Sequence, residues 1–196
     1  MSSSGGALMA TPDPMAWLPA LITLEQHCGD WPTFLNAIYT AFRRDFITSK
    51  PTFPGKRVAL KRHPVREGKE ATFWHMISEG KAEDERTPDF RRCERIAWPR
   101  AMIDELSAVL SGTGRVCCWV QLRKQAKRIL IAPSDFSYVV ILDDRGDYVL
   151  PWTAYSISYS HQRDKLSREW TVAQARQKAG PAPWEDGPVT PATHGS

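Results

Sequence analysis

The chain has 196 residues, of which 42% are hydrophobic and 24% charged, a composition typical of a globular protein rather than of a disordered or fibrous one. Lysine and arginine number 26 against 22 acidic residues, giving a net charge of +4, which permits nucleic-acid or membrane-surface partners without requiring either. The four cysteines include no Cys-x-x-Cys pair. This spacing argues against a zinc site or a disulfide framework, so we expect no metal and no cofactor.

No targeting segment is expected at either end of the chain. The N-terminus lacks the charged start and apolar core of a signal peptide, and no apolar run approaches the length of a membrane span. We therefore expect a reduced, cytoplasmic protein with no membrane partner. Ser-, Gly- and Pro-rich sequence predicts disordered tails at 1–14 and 179–196, which leaves 15–178 as a single domain.

The first half of the domain reads as helical. Residues 15–28 have a weak helical pattern. Asp30 is a typical N-cap before Pro32, and apolar residues with a 3.6-residue period predict an amphipathic helix over 31–46. A short strand is predicted at 57–61, a short helix at 70–78 and a helix at 99–110, while 90–98 fits either helix or strand.

The second half changes to short β-rich runs, at 116–122, 128–132, 138–142 and 148–153. The breaks between them are short and favour antiparallel hairpins, with Asp144-Arg145-Gly146 as a tight turn. A charged helix is predicted at 161–178. The predicted fold class is α+β: N-terminal helices, then a four- to five-stranded antiparallel sheet, then a C-terminal helix.

Candidate catalytic and phosphate-binding residues come before the predicted sheet in the sequence. Histidine suits acid and base roles near neutral pH, which makes His63 and His75 candidates for metal-free cleavage of a phosphodiester. An exposed loop histidine and a hydrogen-bonded core histidine are the respective alternatives. Arg92 and Arg95 would share one face of a helix and could grip a phosphate through their planar guanidinium groups.

Further candidates lie on the sheet. Thr153 and Tyr155 alternate, so both should emerge on one side of the last strand, with Trp152 and Ala154 directed into the core. Cationic side chains that could bind substrate cluster on or near the sheet, although a solvated hairpin would explain many of them equally well. These candidates are Arg66, Arg123, Lys124, Lys127, Arg128 and His161.

The order of these segments resembles the superfamily of metal-independent ribonucleases that joins barnase, EndoU, colicin ribonuclease domains and RelE-type toxins. The likeness covers roughly 56–168, and the runs 138–142 and 148–155 are similar to phage- and plasmid-borne members. The resemblance implies specific roles: an acid or base at His63 or His75, phosphate binding by Arg92 or Arg95, and assistance from Thr153 or Tyr155.

Two functions are expected on these grounds. The first is a toxin-like endoribonuclease of phage or plasmid type, which cleaves RNA by acid-base transesterification without a metal. The alternative is a non-catalytic module of the same fold that binds nucleic acid or a protein. RNA or another nucleic acid is the expected partner, and a protein inhibitor or a homodimer stays open.

Overall fold

The computed structural model describes residues 15–80, 85–123, 126–177 and Trp184. The helices are α1 (Trp31–Phe42), α2 (Ala71–Ile77), α3 (Phe90–Glu94), α4 (Trp98–Asp104), α5 (Leu106–Leu110) and α6 (Ser160–Gln177). The strands are β1 (Arg57–Val58), β2 (Ser78–Glu79), β3 (Thr87–Pro88), β4 (Val116–Arg123), β5 (Ala126–Pro133), β6 (Tyr138–Asp144) and β7 (Tyr148–Ser156). The predicted tail at 1–14, and that at 179–196 apart from Trp184, lie outside the described residues.

A five-stranded sheet in the order β1-β7-β6-β5-β4 forms the centre of the fold. Strands β4 to β7 make the expected antiparallel meander. The fifth strand differs, because β1 pairs in parallel with the start of β7. The helices before the sheet and α6 after it confirm the predicted α+β class.

The two faces of the sheet pack on different layers. Ile131, Val140 and Leu142 belong to the main core, which includes Phe34 and Met102 from the N-terminal helices. The opposite face carries a smaller cluster in which Trp119 and Phe136 meet Trp170 of α6. Because side chains alternate along a strand, each of β4 to β7 supplies both layers.

The N-terminal segment is less helical than its sequence suggests. Between Met15 and Cys28 the regular structure is a single 3₁₀ turn, Glu25–His27, so the helix predicted there is wrong. Pro19 lies inside the stretch, where it removes a backbone donor, and its carbonyl oxygen accepts a hydrogen bond from the Trp98 indole at 2.8 Å. Helix α1 begins as predicted, with the Asp30 carboxylate accepting from the Thr33 backbone N–H.

Helix α1 continues as a π-helix over Arg43–Thr48. Phe46 remains in the core within this wider turn, and Asp45 is also buried. The Asp45 carbonyl oxygen accepts a hydrogen bond from Arg100 of α4 at 2.7 Å. A hydrogen bond therefore links the π-helical end of α1 to α4.

A buried ionic group closes the far end of the sheet. The Asp144 carboxylate accepts a hydrogen bond from Lys56 Nζ at 2.7 Å and lies 3.1 Å from Lys127 Nζ. The Lys127 ammonium also donates to the carbonyl oxygen of Trp184, whose fully buried ring packs edge-to-face on Phe53. Trp184 thus contributes to the core from within the stretch predicted as a tail.

The β6–β7 turn forms as its sequence predicts. Gly146 has a φ of +84°, and its N–H donates to the Asp144 carboxylate at 3.0 Å.

Among the helices of the described residues, none combines the length and the apolar character needed to cross a membrane.

Candidate functional site

A cavity of about 200 Å³ opens beside β7 on the face of the sheet that carries Thr153 and Tyr155. Strand β7 forms one wall, and residues at the end of β2, just before β3 and on α3 form the others. The lining residues are Glu79, Gly80, Arg86, Arg92, Trp152, Thr153 and Tyr155. Three predicted site residues, Arg92, Thr153 and Tyr155, are therefore brought together.

A β-bulge shapes the wall of the cavity. Thr153 pairs with Ile141 and Pro151 with Leu142, so Trp152 is an extra residue on β7. A bulge re-aims the side chains next to it. Ala154 points into the core as predicted, with 1% of its surface exposed, but Trp152 is only half-buried and lines the cavity. The prediction that Trp152 faces the core is wrong because the bulge interrupts the alternation.

Arg92 is the central cation of the site. Its backbone N–H donates to the Asp89 carboxylate, the N-cap of α3, at 2.8 Å, which fixes the start of its helix. The guanidinium group donates from Nη1 to the Ser78 carbonyl oxygen at 2.7 Å and lies 3.3 Å from the Thr153 hydroxyl oxygen. Nη2 lies 3.7 Å from the Glu79 carboxylate. With 14% of the side chain exposed, Arg92 is held in place and still reaches the cavity.

Arg86 supplies a second positive charge. It donates hydrogen bonds to backbone carbonyl oxygens of Ser78 at 2.7 Å, Gly80 at 3.1 Å and His75 at 3.3 Å. These bonds fix the chain where α2 ends. Glu79 is the one acidic residue that lines the cavity in the described chain, and 61% of its side chain is exposed. The lining therefore carries two guanidinium groups against one carboxylate, an arrangement that favours an anionic ligand.

Tyr155 contributes a hydroxyl group and an aromatic face. Burial raises the pKa of Tyr155, and the charges of Arg92 and Arg123 oppose that rise. The phenol is therefore protonated at neutral pH and can donate a hydrogen bond. The guanidinium carbon of Arg92 lies 5.3 Å from the centre of the Tyr155 ring, so a cation and a neutral donor stand side by side.

Trp152 connects the cavity to two other predicted residues. The Arg128 guanidinium lies over its ring at 4.3 Å, and the His75 ring lies at 5.2 Å. Arg128 is held 3.4 Å from the buried Asp143 carboxylate. His75 is itself buried, with 6% exposed. Both residues support Trp152 and neither is among the lining residues.

The remaining histidine and arginine candidates lie elsewhere. His63 is exposed on the loop between β1 and α2, and His161 is exposed at the start of α6, where its ring stacks on Tyr159. Arg95 packs on Trp98 and bonds to Glu94. The expected pairing of Arg92 with Arg95 is thus not seen: Arg92 lines the cavity, and Arg95 does not.

The other basic candidates also have separate surroundings. Arg66 lies over Trp74, and Arg123 donates to the Gln121 side chain at the end of β4. Lys127 belongs to the ionic group around Asp144. Lys124 lies outside the described residues. The positive charges of Arg66, Arg123 and Lys127 are therefore distributed over separate contacts.

Sequence reasoning missed Glu79, Arg86 and Trp152. Glu79 and Arg86 belong to a charged stretch that is typical of a solvated loop, and Trp152 was displaced by a bulge with no sequence signature. Within the described ranges, no group of three or more His, Cys, Asp or Glu side chains is arranged to hold a metal ion.

The comparisons with known proteins add no relative. No family model, no curated protein and no solved structure matches this chain. The resemblance to metal-independent ribonucleases therefore stays a prediction.

Proposed function

We propose that the protein binds the phosphate backbone of a nucleic acid at the cavity around Arg92. The observation that carries this proposal is the convergence of Arg86, Arg92, Thr153 and Tyr155 in the lining of one cavity, with the Arg92 guanidinium 3.3 Å from the Thr153 hydroxyl oxygen. A guanidinium group matches two phosphate oxygens at once, and hydroxyl groups complete the contact. The net charge of +4 supports association with a polyanion.

The size of the cavity fits this interpretation. About 200 Å³ is below the 300–1,000 Å³ typical of pockets that enclose a whole small molecule. A cavity of this size can receive a charged group that protrudes from a larger ligand. The rigid bonding of Arg86 and Arg92 to backbone carbonyl groups means that little side-chain entropy is lost when a phosphate binds.

Binding of a fluorescent single-stranded RNA, followed by anisotropy over a range of salt concentrations, tests the proposal. Arg92→Gln should weaken binding and lower the slope of log K against log salt by about 0.7, as expected when one phosphate contact is lost from a single strand. Arg92→Lys, which keeps the charge without the planar fork, should weaken binding less and keep the slope. Arg44→Gln is the matched control, because Arg44 is 65% exposed on the π-helix and lines no part of the cavity.

Two results would contradict the proposal. Either the wild-type protein binds no RNA at low salt, or Arg92→Gln and Arg44→Gln show equal affinities and equal slopes. Thermal melting of each variant shows whether it is folded.

Metal-independent RNA cleavage is a second candidate function, favoured by the position of Glu79. Its carboxylate lines the same cavity as Tyr155 and lies 3.7 Å from Arg92. Glu79 would take the proton of the 2′-hydroxyl group as the 2′-oxygen attacks phosphorus. Tyr155 would give its proton to the departing 5′-oxygen, and Arg92 would stabilise the charge that develops on the phosphorane.

Incubation of the protein with RNA in excess chelator tests this second function. Cleavage by the wild type that is lost in Glu79→Gln and kept in His63→Ala would support Glu79 as the base. Intact RNA, at concentrations where the anisotropy shows binding, would leave the protein as a binding module. Loss of cleavage in His63→Ala with full activity in Glu79→Gln would instead return the role of base to His63.

A further inference from the structure

A second, larger cavity lies near the Arg92 site. Its volume is about 340 Å³, and its lining residues are Trp31, Arg66, Glu67, Trp74, Pro88 and Phe90. Three aromatic rings and a proline make most of this wall apolar. This volume falls at the lower end of the range of about 300–1,000 Å³ that is typical of pockets for small molecules.

Phe90 leaves an aromatic surface open in this cavity. Half of the residue, 51%, is exposed. Its ring meets Trp31 edge-on, with centroids 5.7 Å apart and an interplanar angle of 75°. Edge-to-face packing orients a ring without covering it completely. Phe90 is therefore held in a defined orientation and can still stack on a ligand.

Arg66 adds a flat cationic surface to the lining of this cavity. Its guanidinium lies over Trp74 at 4.8 Å, and its carbonyl oxygen accepts a hydrogen bond from the Trp74 indole at 2.9 Å. A tight turn fixes the backbone, with reciprocal hydrogen bonds between Arg66 and Lys69 at 3.0 and 2.9 Å. Arg66 also lies 3.5 Å from the carboxylate of Glu67, which lines the same cavity, so the lining carries one charge of each sign. A planar ring that stacks on an aromatic side chain or on a guanidinium plane suits these surroundings.

Helix α3 connects this second cavity to the Arg92 cavity. Phe90 and Arg92 are two residues apart, which is a rise of about 3 Å and a rotation of about 200°. Arg91 lies between them and is exposed, with its guanidinium donating to the Ser158 hydroxyl at 2.8 Å. The exposed cation of Arg91 therefore lies on the same helix as the residues that line the two cavities, Phe90 and Arg92.

We propose that the aromatic cavity at Phe90 binds an unpaired base of the same single-stranded nucleic acid whose phosphate lies at Arg92. This inference rests on the proposed function and specifies its ligand as single-stranded. Stacking on an aromatic side chain tolerates every base, because each base has a π-face. A base in a duplex would first have to unstack and unpair, at a cost of a few kcal/mol, so a duplex gains less from this cavity than a single strand does.

Anisotropy with two labelled RNA oligonucleotides of equal length, one normal and one abasic at every position, separates the two contacts. The wild type should bind the normal strand about tenfold more tightly than the abasic strand, as expected for one stacked base. Phe90→Ala should remove that preference and leave abasic binding unchanged. Arg92→Gln should weaken both strands. Leu110→Ala is the matched control, since it removes another half-exposed apolar side chain and should change neither affinity.

The side-chain substitutions also distinguish stacking from simple apolar contact. Phe90→Leu keeps apolar bulk without a ring and should behave as Phe90→Ala does, while Phe90→Tyr should bind as the wild type does. If Phe90→Leu retains the full preference for the normal strand, the cavity accepts an apolar group and the inference is overturned. Equal binding of both strands by the wild type would also overturn it while leaving the phosphate site intact. No binding of either strand would refute the phosphate site and the base site together.

Discussion

Replacing Asp144 with asparagine should destabilise the fold by removing one charge from the buried ionic group. The carboxylate is 1% exposed and lies 2.7 Å from Lys56 Nζ and 3.1 Å from Lys127 Nζ. Breaking a buried pair costs about 3–5 kcal/mol. Asparagine still accepts a hydrogen bond from Gly146, and Lys127 is 24% exposed and can turn towards water. We therefore expect the free energy of unfolding to fall by about 3 kcal/mol, the lower end of that range.

The loss should depend on pH in a defined direction. Burial by itself would raise the pKa of Asp144, but hydrogen bonds from Lys56, Gly146 and Lys127 lower it below its ordinary value of 3.8. A carboxyl group with a depressed pKa in the folded state stabilises the fold above its unfolded pKa, and this contribution disappears as the pH falls through the folded pKa. The difference between wild type and Asp144→Asn should be constant at neutral pH and should shrink below about pH 4.

Urea unfolding followed by tryptophan fluorescence measures both effects. Asp147→Asn is the matched control, because Asp147 is exposed in the same turn and the chemical change is identical. A loss in Asp144→Asn below about 0.5 kcal/mol, the range of ordinary surface substitutions, would refute the reasoning. So would an equal loss in both variants, or a difference that grows on acidification.

Three other substitutions test the core, the turn and the site. Trp184→Ala should lower the free energy of unfolding by about 3–5 kcal/mol, because a fully buried ring is replaced by a cavity. Urea titration measures this loss, and the exposed Val172→Ala is the control. A loss in Trp184→Ala no larger than that in Val172→Ala would contradict the prediction. Gly146→Ala should lower the free energy of unfolding by about 1–2 kcal/mol in the same titration. The cause is backbone strain at a φ of +84° and not a clash, because nothing lies within 4 Å of the added Cβ. Unchanged stability would show that the turn relaxes. Tyr155→Phe should weaken RNA binding by about 0.5–1.5 kcal/mol, because one hydrogen bond is lost. The slope of log K against log salt should stay the same, since no charge is removed. A lower slope would mean that Arg92 has moved.

The elements with strong local patterns were predictable from the sequence. The 3.6-residue period and the Asp30 cap predicted the start and the face of α1, and the short breaks between β-rich runs predicted the order of β4 to β7. A strand was predicted at 57–61, and β1 forms over its first two residues. Its parallel pairing was missed because the partner strand is about 90 residues away in the chain. Pairing over that separation is decided by packing rather than by local sequence.

The site was predicted in part, for a related reason. Arg92, Thr153 and Tyr155 were recognised by residue type and alternation, and these three do meet. His63 and His75 lie away from the lining: His63 is exposed on a loop and His75 is buried, which are the two alternatives that their sequence context had offered. Trp31 and Trp74 pack on the core as their apolar helix faces predict, but their rings also form one wall with Phe90, because α1, α2 and α3 leave a gap between them.

The π-helical end of α1 bears on how the chain tolerates insertions and deletions. A π-helix bonds residue i to residue i+5, so its hydrogen-bonded ring encloses one residue more than that of an α-helix, and in this chain that turn presents both Phe46 and Asp45 to the interior. Deleting Arg43 or Arg44 and continuing with α-helical bonding would rotate the residues that follow by about 100°. Phe46 would leave the core, and the Asp45 carbonyl would leave Arg100. Substitutions on the outer face of this helix should therefore be tolerated far better than any change in its length.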